Sequence, residues 1–474
     1  MSGTTTPTTA MKRDVVVFSG GSAANNLVDV FERVVEGRGC GLSYIIPISD
    51  NGGSSSELIR VFGGPGIGDV RSRLIRLIPT TPTTLPLKSL FNHRLSPLPS
   101  TAQTEWHALV LGTHDLWHPI PSPTRELIRS FLNLLNLEIV KRARPSSTFN
   151  FQSASVGNLF LTGARLFSGS FESAIYLLGV VTGTEGARVE VVPSVNSNFS
   201  HHIAAGLTDG SVVVGQNEIS HPSLPTAAPA EPPSHEPASP LSSMRMMARD
   251  LQHHDTIEDA NLPGSLPSLR GQNIAFAKED TPLLPYPIER IWYINPYGQE
   301  IRPSANPKVI ESIRGSGAVI YCIGSLYTSI IPSLILRGVG DSIKAVPYKM
   351  LILNGCIDRE TSSVASGPYT ATDFIAAISN ACHSSSSSSP SFSSSPAVPK
   401  EQFKTYVSHV IHLQGEGTPR VDKEELAGLG IECVRLYGRK NESGEGGMLY
   451  DGVALGQVIE AVMGRRDRGR RNTL

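Results

Sequence analysis

No uninterrupted apolar run in these 474 residues is long enough to span a bilayer. Five cysteines, Cys40, Cys322, Cys356, Cys382 and Cys433, are scattered and form no Cys-x-x-Cys pair. Neither a zinc knuckle nor a disulfide framework is suggested, which fits a reducing compartment. Net charge is −1, so no global field recruits nucleic acid or anionic membrane. Met1 to Ala10 is Thr-rich without an apolar core, so it does not read as a secretory signal. Cytoplasmic location is the expectation. The chain contains no Gly-x-x-x-x-Gly-Lys-Ser/Thr and no Gly-x-Ser-x-Gly. These absences exclude an ordinary P-loop and a hydrolase elbow.

What is present is ordinary for a soluble protein, 39% hydrophobic and 18% charged, and long enough for a large core. The run from Val15 to Ile75 organises the rest. Val15-Val16-Val17-Phe18 is a short apolar segment, followed by a small-residue turn from Ser19 to Asn26 and a helical pattern through Val34. Tyr44 to Ile48 is a second apolar segment, ending in Ser49-Asp50-Asn51-Gly52-Gly53-Ser54-Ser55-Ser56. Strand, turn, helix, strand, turn is the pattern of a parallel sheet. Ligands of such sheets bind beyond the carboxyl ends of the strands, where both polar turns fall. Glycines let backbone N–H groups approach a phosphate, and a helix N-terminus adds positive partial charge. The first turn reads as a phosphate cradle, and the second brings the carboxylate of Asp50 to the same edge. Two tight turns without a ligand are the bland alternative.

Along the chain, residues 1–13 read as a disordered lead and 14–463 as one α/β domain. Helix is expected over 57–78, interrupted at Gly63–Gly68, and over 125–144 with Leu127, Phe131, Leu134, Leu135 and Val140 on one face. Val189–Val192, Ile203–Leu207 and Ser211–Val214 read as a small antiparallel patch with a turn at Asp209-Gly210. Residues 79–104, 221–271 and 383–400, rich in Pro, Thr or Ser, read as flexible inserts. Strands are expected at Ala318–Ile323 and Lys349–Leu353, a helix from Phe403, a strand region after Ile431 and a closing helix at Gln457–Val462. Residues 464–474 read as a solvated basic tail. The turn Gly324 to Ser329 again follows an apolar strand and precedes a helix, so three polar turns share one edge.

Asp69, at the head of a helix, can cap it or ligate Mg²⁺. Arg71 can fork a phosphate or lie solvated. Ser325, Thr328 and Ser329 offer hydroxyls and turn amides to a phosphate, with helix capping by Ser325 as the alternative. Asn158, in an apolar stretch, is either a structural pin or a ligand contact. The pairs His201-His202 and His253-His254 do not share a helix face and are not read as metal sites.

Five pieces, in this order, resemble the family of 2-phospho-L-lactate transferase (CofD) and the YvcK-type gluconeogenesis factors. They are Phe18 to Ser22, Ser49 to Ser55, Gly68-Asp69-Val70-Arg71, Ser155 to Leu159, and Gly324 to Pro332. The resemblance implies a Rossmann-like parallel sheet flanked by helices. It implies a phospholactyl transferase that uses a guanosine-diphosphate-linked donor, a deazaflavin acceptor and Mg²⁺, or else a UDP-sugar-binding regulator. Carried onto this chain, Asp50 is the catalytic carboxylate. Gly20, Gly21, Ser22, Asn51, Gly52, Ser54, Arg71, Asn158, Gly324, Ser325, Thr328 and Ser329 contact the nucleotide or its phosphates. Asp50 and Asp69 hold Mg²⁺. Asn51 stands where the family usually has a second Asp, which weakens metal binding, and Cys322-Ile323 replace the usual Gly-Pro. The expected partner is a GDP- or UDP-linked ligand, with no nucleic acid or membrane and with a homodimer left open. An NAD oxidoreductase is the remaining alternative, but Gly-x-Gly-x-x-Gly is missing.

Overall fold

The structure is a computed structural model. It describes residues 14–21, 23–49, 52–144, 148–184, 186, 188–220, 266, 269, 282–386, 397–441 and 447–471 (backbone only from 465).

The chain opens with β1 (Asp14–Phe18), α1 (Val28–Arg38) and β2 (Leu42–Ile46). Six helices follow: α2 (Ser54–Phe62), α3 (Gly68–Leu77), α4 (Leu85–Asn92), α5 (Pro99–Leu111), α6 (Ser122–Arg142) and α7 (Val156–Ser168). Then come α8 (Phe171–Thr182), β3 (Val189–Pro193), β4 (His202–Leu207), β5 (Val212–Val214) and the short α9 (Gln216–Ser220). After residue 282 the strands are β6 (Ile288–Ile294), β7 (Glu300–Ile301), β8 (Ser316–Tyr321), β9 (Tyr348–Ile352), the short pair β10 (Ser362–Ser363) and β11 (Gly367–Pro368), β12 (His409–Leu413), β13 (Glu432–Leu436) and the short pair β14 (Gly438–Lys440) and β15 (Met448–Tyr450).

Seven strands form one parallel sheet in the order β13-β12-β9-β8-β1-β2-β3. β8, β9 and β12 are buried along their whole length, as strands covered by helices on both faces must be. A separate antiparallel sheet runs β5-β4-β6-β7. From β1 the chain proceeds outward through β2 to β3, then returns to β1's other side as β8 and proceeds outward to β13. The order therefore reverses between β1 and β8, which makes that point the switch of a doubly wound sheet.

Several expectations need correction. Residues 79–104 are not an unpacked insert: they carry α4 and the start of α5, and Leu87, Leu90, Phe91, Leu95 and Ala102 are buried. Two of the prolines that suggested a loop, Pro86 and Pro99, sit in the first helical turns, where a missing N–H costs nothing. α6 buries Ile128, Phe131, Leu132, Leu135 and Ile139, whereas Leu127 is 43% and Val140 64% exposed. The sequence offers apolar residues on more than one face, and α7 selects which is covered. Val189–Val192 pairs in parallel with β2 and closes the main sheet, so it is not part of the antiparallel patch. The expected helix from Phe403 is a short 3-10 turn, Lys400–Thr405, followed by the buried β12. Val410-Ile411 is β-branched and too short a run for a buried helix. The final helix, Gly452–Arg471, extends through most of the region read as a tail. The lead at 1–13, nearly all of 221–271, and 387–396 lie outside the described residues. No helix among the described residues is long and apolar enough to cross a membrane.

Candidate functional site

The first polar turn leaves β1 and the third leaves β8, so both open at the switch point. They meet there at the rim of a cleft of ≈ 670 Å³. Gly20, Gly21, Gly52, Ser54, Asp69, Arg71, Asn158, Gly324, Ser325, Thr328 and Ser329 all line it. Ser22, Asp50 and Asn51 lie outside the described residues.

At the first turn, glycine is required by space. A Cβ on Gly20 would come 2.8 Å from Ser329 Cβ, and one on Gly21 would come 2.8 Å from Asp69 Cα. Removing two methyl groups thus lets three distant segments close on each other. Arg73, one turn beyond Asp69, secures the arrangement from below. Its Nη2 donates to the Gly20 carbonyl (3.2 Å) and to Ser19 Oγ (3.3 Å), and Nη1 donates to the Ala24 carbonyl (3.4 Å). The guanidinium lies 4.3 Å from the Tyr44 ring centroid. Burial lowers the Arg73 pKa. Asp69 is the second residue of α3, inside its first turn, and the N-cap position falls to Ile67, which makes no side-chain cap bond. A carboxylate there still faces the positive end of the helix.

At the second turn, Gly53 adopts φ 54°, and a Cβ there would touch nothing, so conformation rather than space demands glycine. Ser54 opens α2. Its Oγ accepts from the Ser155 N–H (3.3 Å) and from Asn158 Nδ2 (3.0 Å). Asn158 Oδ1 accepts from Arg71 Nε (3.2 Å). Asn158 is 3% and Arg71 8% exposed. Asn158 is therefore a pin, tying α2, α3 and α7 together and aiming Arg71 along the cleft floor. Gly157 lets Arg71 pass, since a Cβ there would meet Arg71 Cδ at 2.9 Å.

The third turn differs from the sequence reading. Its N–H groups are largely engaged by protein oxygens. The Tyr327 and Thr328 amides donate to Glu360 Oε2 (2.7 and 3.1 Å), and Thr328 Oγ1 lies 2.6 Å from Glu360 Oε1. The Ser329 amide donates to the Ser325 carbonyl, and the Gly324 amide to Asn354 Oδ1 (both 2.9 Å). Ser325 makes no side-chain cap bond; Glu360 meets the amides instead. The turn thus presents hydroxyls to the cleft more than a nest of amides.

Sequence reasoning missed several further contributors. Arg94, Gln152 and Ser153 line the opposite rim. Arg94 Nη1 donates to the Ser153 carbonyl (3.2 Å), and Ser153 is the one non-glycine with positive φ (51°) among the described residues. Strain of this kind concentrates at functional sites. Gln216, Asn217 and Ser220 of α9 form another wall, where Gln216 Oε1 and Asn217 Nδ2 are buried without a protein partner. Paired buried amides of this kind are unusual unless something else satisfies them. The one signal available in advance for Arg73 was its place two residues after Arg71 on the same helix.

Two other features stand apart. A larger cavity of ≈ 960 Å³ lies between α1, α3, α8 and β3, but its Arg76 and Lys308 are paired with Asp29 and Glu172 and none of the three turns reaches it. We take the smaller cleft as the site on the strength of its chemistry. His93, Glu105 and His114 cluster behind Arg94 and form the one metal-compatible group found among the described residues. His114 Nδ1 accepts the Leu116 N–H, which leaves the proton on the nitrogen facing Glu105. That tautomer suits a hydrogen bond, not a metal.

The family model for 2-phospho-L-lactate transferase CofD matches residues 15–436. The chain is 41% identical over 355 residues to the uncharacterized protein YNL011C of Saccharomyces cerevisiae, covering 73% of this chain and 79% of that one. It is 21% identical over 426 residues to a gluconeogenesis factor of Bacillus subtilis, with 90% of each chain covered. A crystal structure of a UPF0052-family protein from Bacillus halodurans aligns with TM-score 0.55 at 18% identity, over 94% of this chain and 99% of that one. That likeness supports the fold alone. From the ordered turns, the doubly wound sheet and the span of the family match, the chain belongs to the CofD family.

Proposed function

We propose that the cleft binds a nucleotide-diphosphate-linked ligand and that the chain is a CofD-type transferase of the phosphorus-containing group on it. The convergence of three turns, distant in sequence, on one cleft at the sheet's switch point carries this reading. Arg71 on the floor and Arg94 on the rim supply cations for a diphosphate. The unpartnered amides of Gln216 and Asn217 suit the uncharged part of the ligand.

Asp69 is the one carboxylate among the described lining residues. Mg²⁺ is commonly held by one or two carboxylates together with substrate phosphates, so the donor set fits. Asp69 would hold the ion, which would neutralise diphosphate charge. Asp50 would orient an acceptor hydroxyl and take its proton as the oxygen bonds phosphorus and the anhydride oxygen leaves with the nucleotide. The role of Asp50 rests on sequence. The glycine turn and Arg71 hold the diphosphate in line for that attack.

The name of two bacterial relatives, gluconeogenesis factor, favours a second reading: a nucleotide-sugar-binding regulator without turnover. Thermal shift against GDP, UDP-N-acetylglucosamine and NAD, with and without Mg²⁺, followed by product analysis, separates the readings. Stabilisation by GDP or UDP-N-acetylglucosamine, with a nucleoside monophosphate released from the sugar-linked ligand when an acceptor alcohol is added, supports the transferase. Stabilisation without product supports the regulator. Stabilisation by NAD alone overturns both. Asp50→Asn is expected to abolish transfer and leave nucleotide affinity nearly intact.

A further inference from the structure

Thr328 touches the cleft on one side and a buried acid on the other. Glu360 is 2% exposed and sits in the turn Asp358–Thr361, which is closed by a capping box. Its two oxygens are not equivalent. Oε2 accepts two backbone N–H groups, which are donors at any pH. Oε1 faces only the Thr328 hydroxyl, 2.6 Å away, and either oxygen of that pair can supply the hydrogen. An ionised Glu360 has no hydrogen, so Thr328 must donate to it. A neutral Glu360 carries one, and the two amides facing Oε2 keep it on Oε1, aimed at Thr328 Oγ1. The Thr328 hydrogen is then released to turn elsewhere, and Thr328 lines the cleft.

We propose that Glu360 gates the cleft through Thr328: neutral Glu360 frees the Thr328 O–H to donate to an anionic ligand group, and ionised Glu360 withdraws that donor. The gate rests on the nucleotide reading only in naming the anion as a diphosphate.

The surroundings of Glu360 favour the neutral form near neutrality. Burial first and the charge of Asp358 second raise its pKa, the three hydrogen bonds pull the other way, and the outcome is about 8. Arg359, the neighbouring cation, turns its Nε and Nη2 to the Ile219 and Glu218 carbonyls of α9. The Glu218 carboxylate interacts with Arg359 from that helix. From the third turn, Tyr327 faces Glu360, with Tyr369 and Asp373 behind it. Linkage makes the effect reciprocal: an anion that accepts from Thr328 holds Glu360 neutral, and ionising Glu360 weakens the anion.

Calorimetric titration of the full chain with pyrophosphate, GDP and UDP-N-acetylglucosamine from pH about 6.5 to about 9.5 tests the gate. Three proteins are compared: wild type, Glu360→Gln and Thr328→Val. The glutamine amide donates to Thr328 as the neutral acid does, so Glu360→Gln serves as the reference that removes the ligand's own titration. Relative to it, wild-type affinity should fall about tenfold as pH rises through 8, the worth of one hydrogen bond to a charged group. Thr328→Val should bind weakly with that fall abolished. A Thr328→Val protein that keeps the wild-type fall overturns the gate, because charge repulsion alone would then explain it. Wild-type affinity parallel to Glu360→Gln at every pH overturns it too. A ligand-free measurement stands beside these: the Glu360 ¹³C carboxyl signal, assigned by its loss in Glu360→Gln, should titrate near 8. Titration below about 5 refutes the gate whatever binds. If none of the three ligands binds at any pH, the nucleotide reading fails and the carboxyl titration alone decides the gate.

Discussion

Replacing Asn158 by alanine removes the pin between three helices. Two bonds are lost, from Arg71 Nε at 3.2 Å and to Ser54 Oγ at 3.0 Å. A hydrogen bond with a charged partner contributes about 1.5–3 kcal/mol and a neutral one about 1 kcal/mol. The amide's own desolvation is relieved, so the net expected loss is about 2–4 kcal/mol at a site 3% exposed. Urea unfolding of the ligand-free chain at neutral pH measures it as a drop in midpoint at constant slope. Asn158→Asp is the informative companion. It keeps an acceptor for Arg71, and the Ser54 hydroxyl can reverse to donate to it, so its loss should be under half that of the alanine variant. An alanine variant within about 0.5 kcal/mol of wild type, or an aspartate variant that loses as much, would refute the pin.

The other predictions concern packing and protonation. Gly163 lets α7 lie against α6, and a Cβ there would run into the Phe131 carbonyl. Gly163→Ala should therefore cost about 1–3 kcal/mol in urea unfolding, despite alanine's better helix propensity. Gly21→Ala should push Asp69 away and lower ligand affinity in calorimetry by tenfold or more, with a smaller effect on the unfolding midpoint. His202 is buried on β4, and burial depresses it from 6.5 to about 4. The unfolded chain binds its proton first, so stability should fall as pH drops from about 6.5 toward 4. His202→Phe should flatten that part of the stability–pH curve; an unchanged curve contradicts the assignment. Glu360 works in the other direction. Its contribution is fully present below about 4.5 and lost as pH rises through about 8, so wild type should lose stability relative to Glu360→Gln over that window.

The sheet was legible because its strands are short apolar runs ended by small polar residues, as at Val15–Phe18 and Ala318–Tyr321. The same punctuation marked the turns, and all the described candidate residues drawn from them line one cleft. Misreadings came where tertiary context decides. Proline near Leu85 and Pro99 signalled loop but begins helices. α6 carries apolar residues all round, so its partners α7 and α5 fix which face is buried. Val189–Val192 is compatible with either sheet until its neighbour β2 is known. Arg73, Arg94 and Glu360 escaped notice because a lone charged residue has no periodicity to betray it. The sequence also could not reveal that Glu360 takes up amides in the third turn that otherwise suit a phosphate.

Hydrogen–deuterium exchange with and without GDP or UDP-N-acetylglucosamine tests the convergence of the turns most directly. Binding should slow exchange together in peptides covering 20–24, 52–56 and 324–329, with Arg71→Ala abolishing the protection at ligand concentrations that saturate wild type. Protection confined to one of those segments, or found instead around Arg76, Lys88 and Lys308 at the larger cavity, would contradict a single anionic guest at the switch point.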